Sequence, residues 1–126
     1  MNDLQIKREF DVIIIGGGAA GLSAALWCDD LGLTALLLES DSELGGQLLR
    51  VYNRIENHLG VEAENGRRLR DVFIKQIEKR KFSLLLSSRL REVDLVKKTV
   101  LLETGEIFTG KSIIIATGVR RRKLNV

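Results

Sequence analysis

Phe10 to Ile15 is an almost unbroken apolar run, β-branched or aromatic at every position except Asp11, and it suits a short strand buried on both faces of a parallel sheet. The pattern changes at Gly16. After a glycine-rich turn, Leu22, Ala25 and Leu26 recur at helical spacing, so a helix starting near Ala19 or Ala20 and stopping at Gly32 is expected. Thr34 to Leu38 is again continuously apolar and ends at Glu39, which predicts a second buried strand and completes a βαβ unit. Ser40 to Glu64 has no sustained period and reads as irregular chain, with at most a helical turn at Leu48 and Leu49. A stretch of that length is uncommon in a compact domain unless it has a function, so it is expected to cover a ligand. In its second half, Asn53 to Leu59 suits a plain surface loop equally well.

The period returns at Asn65, an N-cap residue type, followed by Leu69, Val72, Phe73, Gln76 and Ile77 on one face of a helix reaching about Arg80. Phe82 to Ser87 predicts a third buried strand returning to the parallel sheet. Leu90 to Val96, Thr99 to Glu103 and Glu106 to Phe108 fit a small antiparallel meander with turns at Lys97-Lys98 and Thr104-Gly105. Ser112 to Ala116 reads as a separate short strand leading into Ala116-Thr117-Gly118. Met1 to Glu9 is polar, with Leu4-Gln5-Ile6 able to lie against the domain, and it carries no assigned role.

The chemistry sits where the first strand meets the first helix. Gly16, Gly18 and Gly21 satisfy G-x-G-x-x-G in the strand–turn–helix setting the motif requires. The first glycine permits the tight turn, the second lets a pyrophosphate approach the backbone, and the third lets the helix sit close to the strand. Free N–H groups and the positive dipole end of the helix then face the phosphates, so no basic side chain is needed in the loop. Glu39, at the end of the second strand, is placed to accept hydrogen bonds from a ribose diol and to repel a 2′-phosphate, which disfavours NADP. FAD and NAD both remain. Gly45-Gly46 lets backbone run close to a ligand, Gln47 offers an amide that donates and accepts, and Asn53, Glu56, Asn57 and His58 mix polar groups with Ile55 and Leu59.

Composition narrows the classes without changing this picture. With 126 residues, 44% hydrophobic and 29% charged, the chain is one globular domain or part of one. The net charge of +3 owes much to Arg120-Arg121-Arg122-Lys123, which argues against a broad nucleic-acid face. No apolar stretch is long enough to span a bilayer, and Met1 to Phe10 is charged rather than signal-like, so a cytoplasmic protein without membrane association is expected. Cys28 is the only cysteine, so there is no C-x-x-C pair, and a small buried thiol in the first helix is expected. His58 is the only histidine; neither a zinc set nor a Ser/His/Asp arrangement is present, and no catalytic or metal-ligating residue is assigned.

The order Gly16-Gly17-Gly18-Ala19-Ala20-Gly21, Glu39, Gly45-Gly46-Gln47-Leu48, Ile55-Glu56-Asn57 and Ala116-Thr117-Gly118 resembles the first FAD-binding segment of thioredoxin reductases, within the pyridine nucleotide-disulfide oxidoreductase superfamily. The similarity runs from Phe10 to Arg122. It implies an α/β, Rossmann-like three-layer FAD/NAD(P)-binding fold, a parallel sheet with a small antiparallel meander, occupying residues 1–126 as one partial domain. It further implies that Gly16, Gly18, Ala19 and Ala20 surround the FAD pyrophosphate, that Glu39 holds the adenosine ribose, and that Gly46 and Gln47 contact the middle of the cofactor. Asn57 would lie near the isoalloxazine, the Leu90 backbone near adenine, and Ala116, Thr117 and Gly118 against the cofactor where the chain leaves the domain. Ala19 stands where that family usually has proline, and His58-Leu59-Gly60 where an aromatic residue and proline precede glycine.

In that family NADPH reduces the flavin, which then reduces a disulfide. The resemblance therefore implies a FAD-binding portion of a flavin oxidoreductase whose NADPH domain and C-x-x-C lie outside this sequence, completed by a C-terminal half or partner subunit and without turnover by itself. An open sheet edge would also admit a homo-oligomer. Two other readings stand beside it: a stand-alone NAD-binding or sensor module, and a non-catalytic scaffold whose basic segment Arg120 to Lys123 binds an acidic partner.

Overall fold

The computed structural model describes residues 7–120 and 122–125; the Leu4-Gln5-Ile6 segment and Arg121 lie outside them. In chain order the elements are β1 (Glu9–Ile15), α1 (Ala19–Asp30), β2 (Ala35–Leu38), a 3-10 turn (Gly46–Arg50), α2 (Gly66–Ile77), β3 (Ser83–Leu85), β4 (Leu90–Asp94), β5 (Thr99–Leu102) and β6 (Ile107–Ile115). They form a six-stranded sheet in the order β3-β2-β1-β6-β5-β4. β1 is central and parallel to both neighbours, with Ile13 in register with Leu36 on one side and Ile113 on the other.

Alternation along β1 and β2 explains why both faces of the sheet are covered there. Val12 and Ile14 of β1, with Ala35 and Leu37 of β2, pack under Leu22, Ala25 and Cys28 of α1 and Ile77 of α2. Ile13 and Ile15, with Leu36 and Leu38, face the other way into a second cluster with Val100, Leu102 and Phe108 of the antiparallel part. Helices, sheet and meander are thus the three layers the sequence implies. Cys28 is buried as expected, and burial, with a smaller contribution from the Asp11 charge, raises its pKa and keeps it a thiol.

Four expected elements differ from what is observed. Phe82 to Ser87 is not a fully buried strand: β3 spans only Ser83–Leu85 at the sheet edge, parallel to β2, and Leu84 and Leu86 are exposed because no layer covers that edge. Glu106 to Phe108 and Ser112 to Ala116 are not two strands but one, β6, which pairs antiparallel with β5 up to Thr109 and parallel with β1 to its end. Its last residues, Ile114 and Ile115, are exposed rather than buried. α2 ends at Ile77 rather than near Arg80, although Asn65 caps it as expected, accepting from Arg68 N at 2.9 Å.

Asp11, the charged residue in the interior of β1, ties the strand to its two neighbours. Its Oδ2 accepts from Thr34 N at 2.8 Å and Thr34 Oγ1 at 3.1 Å, and its Oδ1 lies 3.1 Å from Lys111 Nζ. The Thr34 backbone N–H, followed by Lys111, holds its carboxyl below the ordinary aspartate range. Because the folded pKa is the lower one, this stabilisation is present above the unfolded value of about 4 and disappears as pH falls through the folded value. Asp11→Asn is therefore expected to lower the urea midpoint at neutral pH, with the gap to wild type closing in acid. A gap independent of pH would show that the charge of Asp11 does not contribute.

Candidate functional site: a glycine-lined cavity at the strand ends

The C-terminal ends of β1, β2 and β6 converge on one concavity. At Gly16, with φ +112°, the chain turns sharply out of β1. Gly16 N donates to Leu38 O at 2.8 Å and Ala116 N donates to Ile15 O at 2.8 Å, so the turn is pinned between the ends of β2 and β6. A Cβ at Gly16 would lie 2.1 Å from Ala116 O. The α1 N-terminus that follows has no side-chain cap and no acid in its first turn, and Ala19 and Ala20 are exposed. Its N–H groups and positive dipole end are open to an anion.

A second glycine turn closes over the first. Gly45 N donates to Gly17 O at 2.9 Å, and both Gly45 (φ +132°) and Gly46 (φ +53°) adopt conformations that L side chains rarely take. Leu44 is buried in the core beside Gly17, where a Cβ would lie 2.5 Å from Leu44 Cδ2. Gly46 leads into the 3-10 turn, from which the Gln47 amide donates to the Val119 carbonyl in the segment leaving β6. That bond ties the two rims of the concavity together.

Glu39 is the only acidic side chain among the buried polar residues described, 7% exposed. Its Oε1 accepts from Gly17 N at 3.0 Å, and its Oε2 from Asp41 N at 2.9 Å and Ser40 Oγ at 3.3 Å. An ionised carboxylate has about four lone-pair sites, so two strong bonds fix its orientation and leave capacity for a ligand hydroxyl. The side chain thus joins the end of β2 to the glycine turn as well as facing the cavity.

These groups enclose a cavity of about 650 Å³, within the range of small-molecule and cofactor sites. Of the residues singled out in the sequence, Gly16, Gly18, Ala19, Ala20, Glu39, Gly46, Gln47, Leu90, Ala116, Thr117 and Gly118 line it. Asn57 does not; it is exposed in the irregular stretch before α2. Ser88, Arg89, Arg50 and Glu103 also line the cavity and were not anticipated. Ser88 is brought there by its N–H, which donates to Glu39 O at 2.9 Å; only the sheet order reveals that proximity. His58 lies outside the lining with its ring against Phe73, centroids 5.8 Å apart. No metal-binding cluster of three or more His, Cys, Asp or Glu occurs among the described residues.

Residues 10–126 match the family described as pyridine nucleotide-disulphide oxidoreductase. The chain belongs to that family. It is 35% identical to an NADH dehydrogenase of Bacillus subtilis over 95% of its own length but only 23% of that protein, and 31% identical to a thioredoxin reductase of Ureaplasma parvum over 95% and 38% respectively. The thioredoxin reductase of Lactococcus lactis superposes with a TM-score of 0.82 at 34% identity, covering 93% of this chain and 38% of that one. That of Streptococcus pyogenes gives 0.83 at 28%, covering 96% and 39%. The chain therefore spans roughly a quarter to two fifths of the length of these relatives, and the α/β sheet with its antiparallel part is the thioredoxin reductase fold over that portion. Among the described residues no helix is long and apolar enough to cross a membrane.

Proposed function

We propose that this chain is the FAD-binding portion of a thioredoxin-reductase-like flavin oxidoreductase. The observation that carries the reading is the cradle at Gly18. A Cβ there would meet nothing closer than 3.8 Å, and its φ of −81° is open to any residue, so packing within the protein does not require glycine. The space beside it, facing an uncapped helix N-terminus, fits a pyrophosphate. Glu39 would hold the ribose diol, and Gln47, with Ala116, Thr117 and Gly118, would border the remainder of the cofactor. Bound FAD would supply hydride and electron transfer through its flavin, and the protein residues bind it, orient it and limit access of water.

A dithiol partner is not proposed within these residues, since Cys28 is the only cysteine and is buried. In this reading a further segment or partner subunit completes the active enzyme. Gly110 N still donates to Lys98 O at 2.9 Å, but beyond it, among the described residues, β6 pairs only with β1, which leaves an edge to which such a segment or a second copy could add a strand.

Calorimetric titration with FAD and with NAD tests the nucleotide assignment. FAD is expected to bind more tightly than NAD, and Glu39→Gln to weaken FAD by about tenfold to a hundredfold through loss of a charge-assisted hydrogen bond. Thermal unfolding run in parallel separates this from the variant's loss of its bonds to Gly17 and Asp41. Binding of NAD in preference to FAD would favour the stand-alone NAD module; binding of neither would remove the nucleotide assignment for this chain.

A further inference from the structure

None of the residues of α2 lines the cavity, yet one of them reaches the second glycine turn. Arg70 is largely buried, its side chain 15% exposed, and its Nη1 donates to the Leu44 carbonyl at 3.3 Å. Its aliphatic stem fills the space beside Gly45: a Cβ on Gly45 would lie 2.7 Å from Arg70 Cγ. Two carboxylates steady the guanidinium, with Asp71 Oδ1 3.0 Å from Nε and Glu43 Oε2 3.6 Å from Nη1. Nε is nonetheless buried and not aligned for a hydrogen bond. A guanidinium left with an unsatisfied buried N–H is unfavourable on its own account, and it persists here because the stem and Nη1 are held by the Leu44-Gly45 backbone.

We propose that Arg70 is a positioning residue for the cofactor cradle: by holding the Leu44 carbonyl from the α2 side, it seats Gly45 and Gly46 against Gly17 and Gly18. The geometry runs in a chain from Arg70 to Leu44 O, from Gly45 N to Gly17 O at 2.9 Å, and on to Gly18, whose open side faces Gly46. Without Arg70, Leu44 stays anchored by its own burial, but its carbonyl is free to rotate and the peptide carrying Gly45 N rotates with it. Arg67, on the same helix, makes a contrast. It is half exposed and binds Glu43 through two nitrogens at 3.1 and 3.2 Å, without touching the glycine turn, so its loss should leave the cradle intact.

The cofactor part of this inference rests on the nucleotide reading, and the test separates the two. Amide hydrogen exchange of Gly45 in the ligand-free chain is measured for wild type, Arg70→Met, Arg70→Lys and Arg67→Met, alongside thermal unfolding and FAD titration. Methionine keeps the stem over Gly45 and removes the donor. Arg70→Met is expected to speed Gly45 exchange about tenfold or more while amides of the central strands keep their protection, and to weaken FAD binding by about tenfold. Arg70→Lys, a single-point donor, should restore part of both effects, and Arg67→Met should change neither. If Gly45 exchange is unaltered in Arg70→Met, or protection falls equally throughout the sheet, Arg70 is merely structural and the proposal is overturned. If wild type fails to bind FAD, the nucleotide reading falls, and the exchange data alone decide whether Arg70 seats the turn.

Discussion

Gly21→Ala is expected to destabilise the fold by about 3 kcal/mol or more, a large part of the margin of about 5–15 kcal/mol that keeps a domain folded. A Cβ at Gly21 would lie 1.7 Å from Gly16 O and 2.9 Å from Gly16 C. These are backbone atoms of a turn already fixed by its bond to Leu38, so no side-chain rotation relieves the clash. The first turn of α1 would have to lift off the end of β1, withdrawing Leu22 and Ala25 from the cluster they form with Val12 and Ile14. Gly32→Ala is the control. Gly32, unlike the helical Gly21, has a positive φ, +72°, and nothing lies within 4 Å of the added carbon, so only the strained backbone conformation contributes, about 1–2 kcal/mol. Urea unfolding of both variants decides the matter. If Gly21→Ala loses no more than Gly32→Ala, close approach of helix to strand is not what glycine provides at position 21.

The same glycines show why part of this molecule can be read directly from its sequence. β1, α1 and β2 each keep one environment along their length, so periodicity, the glycine spacing and the terminal Glu39 converge on a single arrangement. β6 does not. It changes partners at Thr109, and Gly110, Lys111 and Ser112 interrupt its apolar pattern there. Gly110 is buried, with space for a Cβ only 3.1 Å from Ile13 Cγ1, so the interruption reflects close packing inside a strand rather than the end of one. For β3 the difficulty is different: Leu84 and Leu86 have the composition of a buried strand, but an apolar run carries no information about which strand lies at the edge.

The candidate site divides along the same line. Residues that act through backbone conformation, Gly16, Gly18 and Gly46, are visible as glycines at telling intervals. Residues that act through contacts between distant segments are not: Arg70 meets Leu44 across 26 positions, and Ser88 joins the rim through the order of β2 and β3. Glu39 shows both kinds of behaviour. Its position at a strand end is legible, whereas its bonds to Gly17 and Asp41, which hold the glycine turn against β2, emerge only in three dimensions.

Gly18→Ala is expected to leave the ligand-free chain folded and to abolish most nucleotide binding, the reverse of Gly21→Ala. Two opposing effects set its stability. Alanine is a poorer N-cap than glycine, while replacing glycine at a permissive φ reduces the entropy of the unfolded chain, and the net change is within about 1 kcal/mol. Nothing in the protein resists the added methyl, whose nearest neighbours are Gly46 Cα at 3.8 Å and Gly45 O at 3.9 Å. The methyl would instead occupy the gap between the two glycine turns, in front of the free N–H groups of α1, where a pyrophosphate has to make contact. Loss of that approach should weaken FAD on the order of a hundredfold, about 2.7 kcal/mol, and ADP, which carries the same diphosphate without the flavin, in similar proportion. Calorimetry with both ligands and urea unfolding without either provide the readouts. Equal losses for FAD and ADP at unchanged stability would locate the diphosphate at the Gly18 cradle; undiminished binding of both would mean that the phosphates do not approach α1 there, and the cofactor assignment would lose the observation on which it rests.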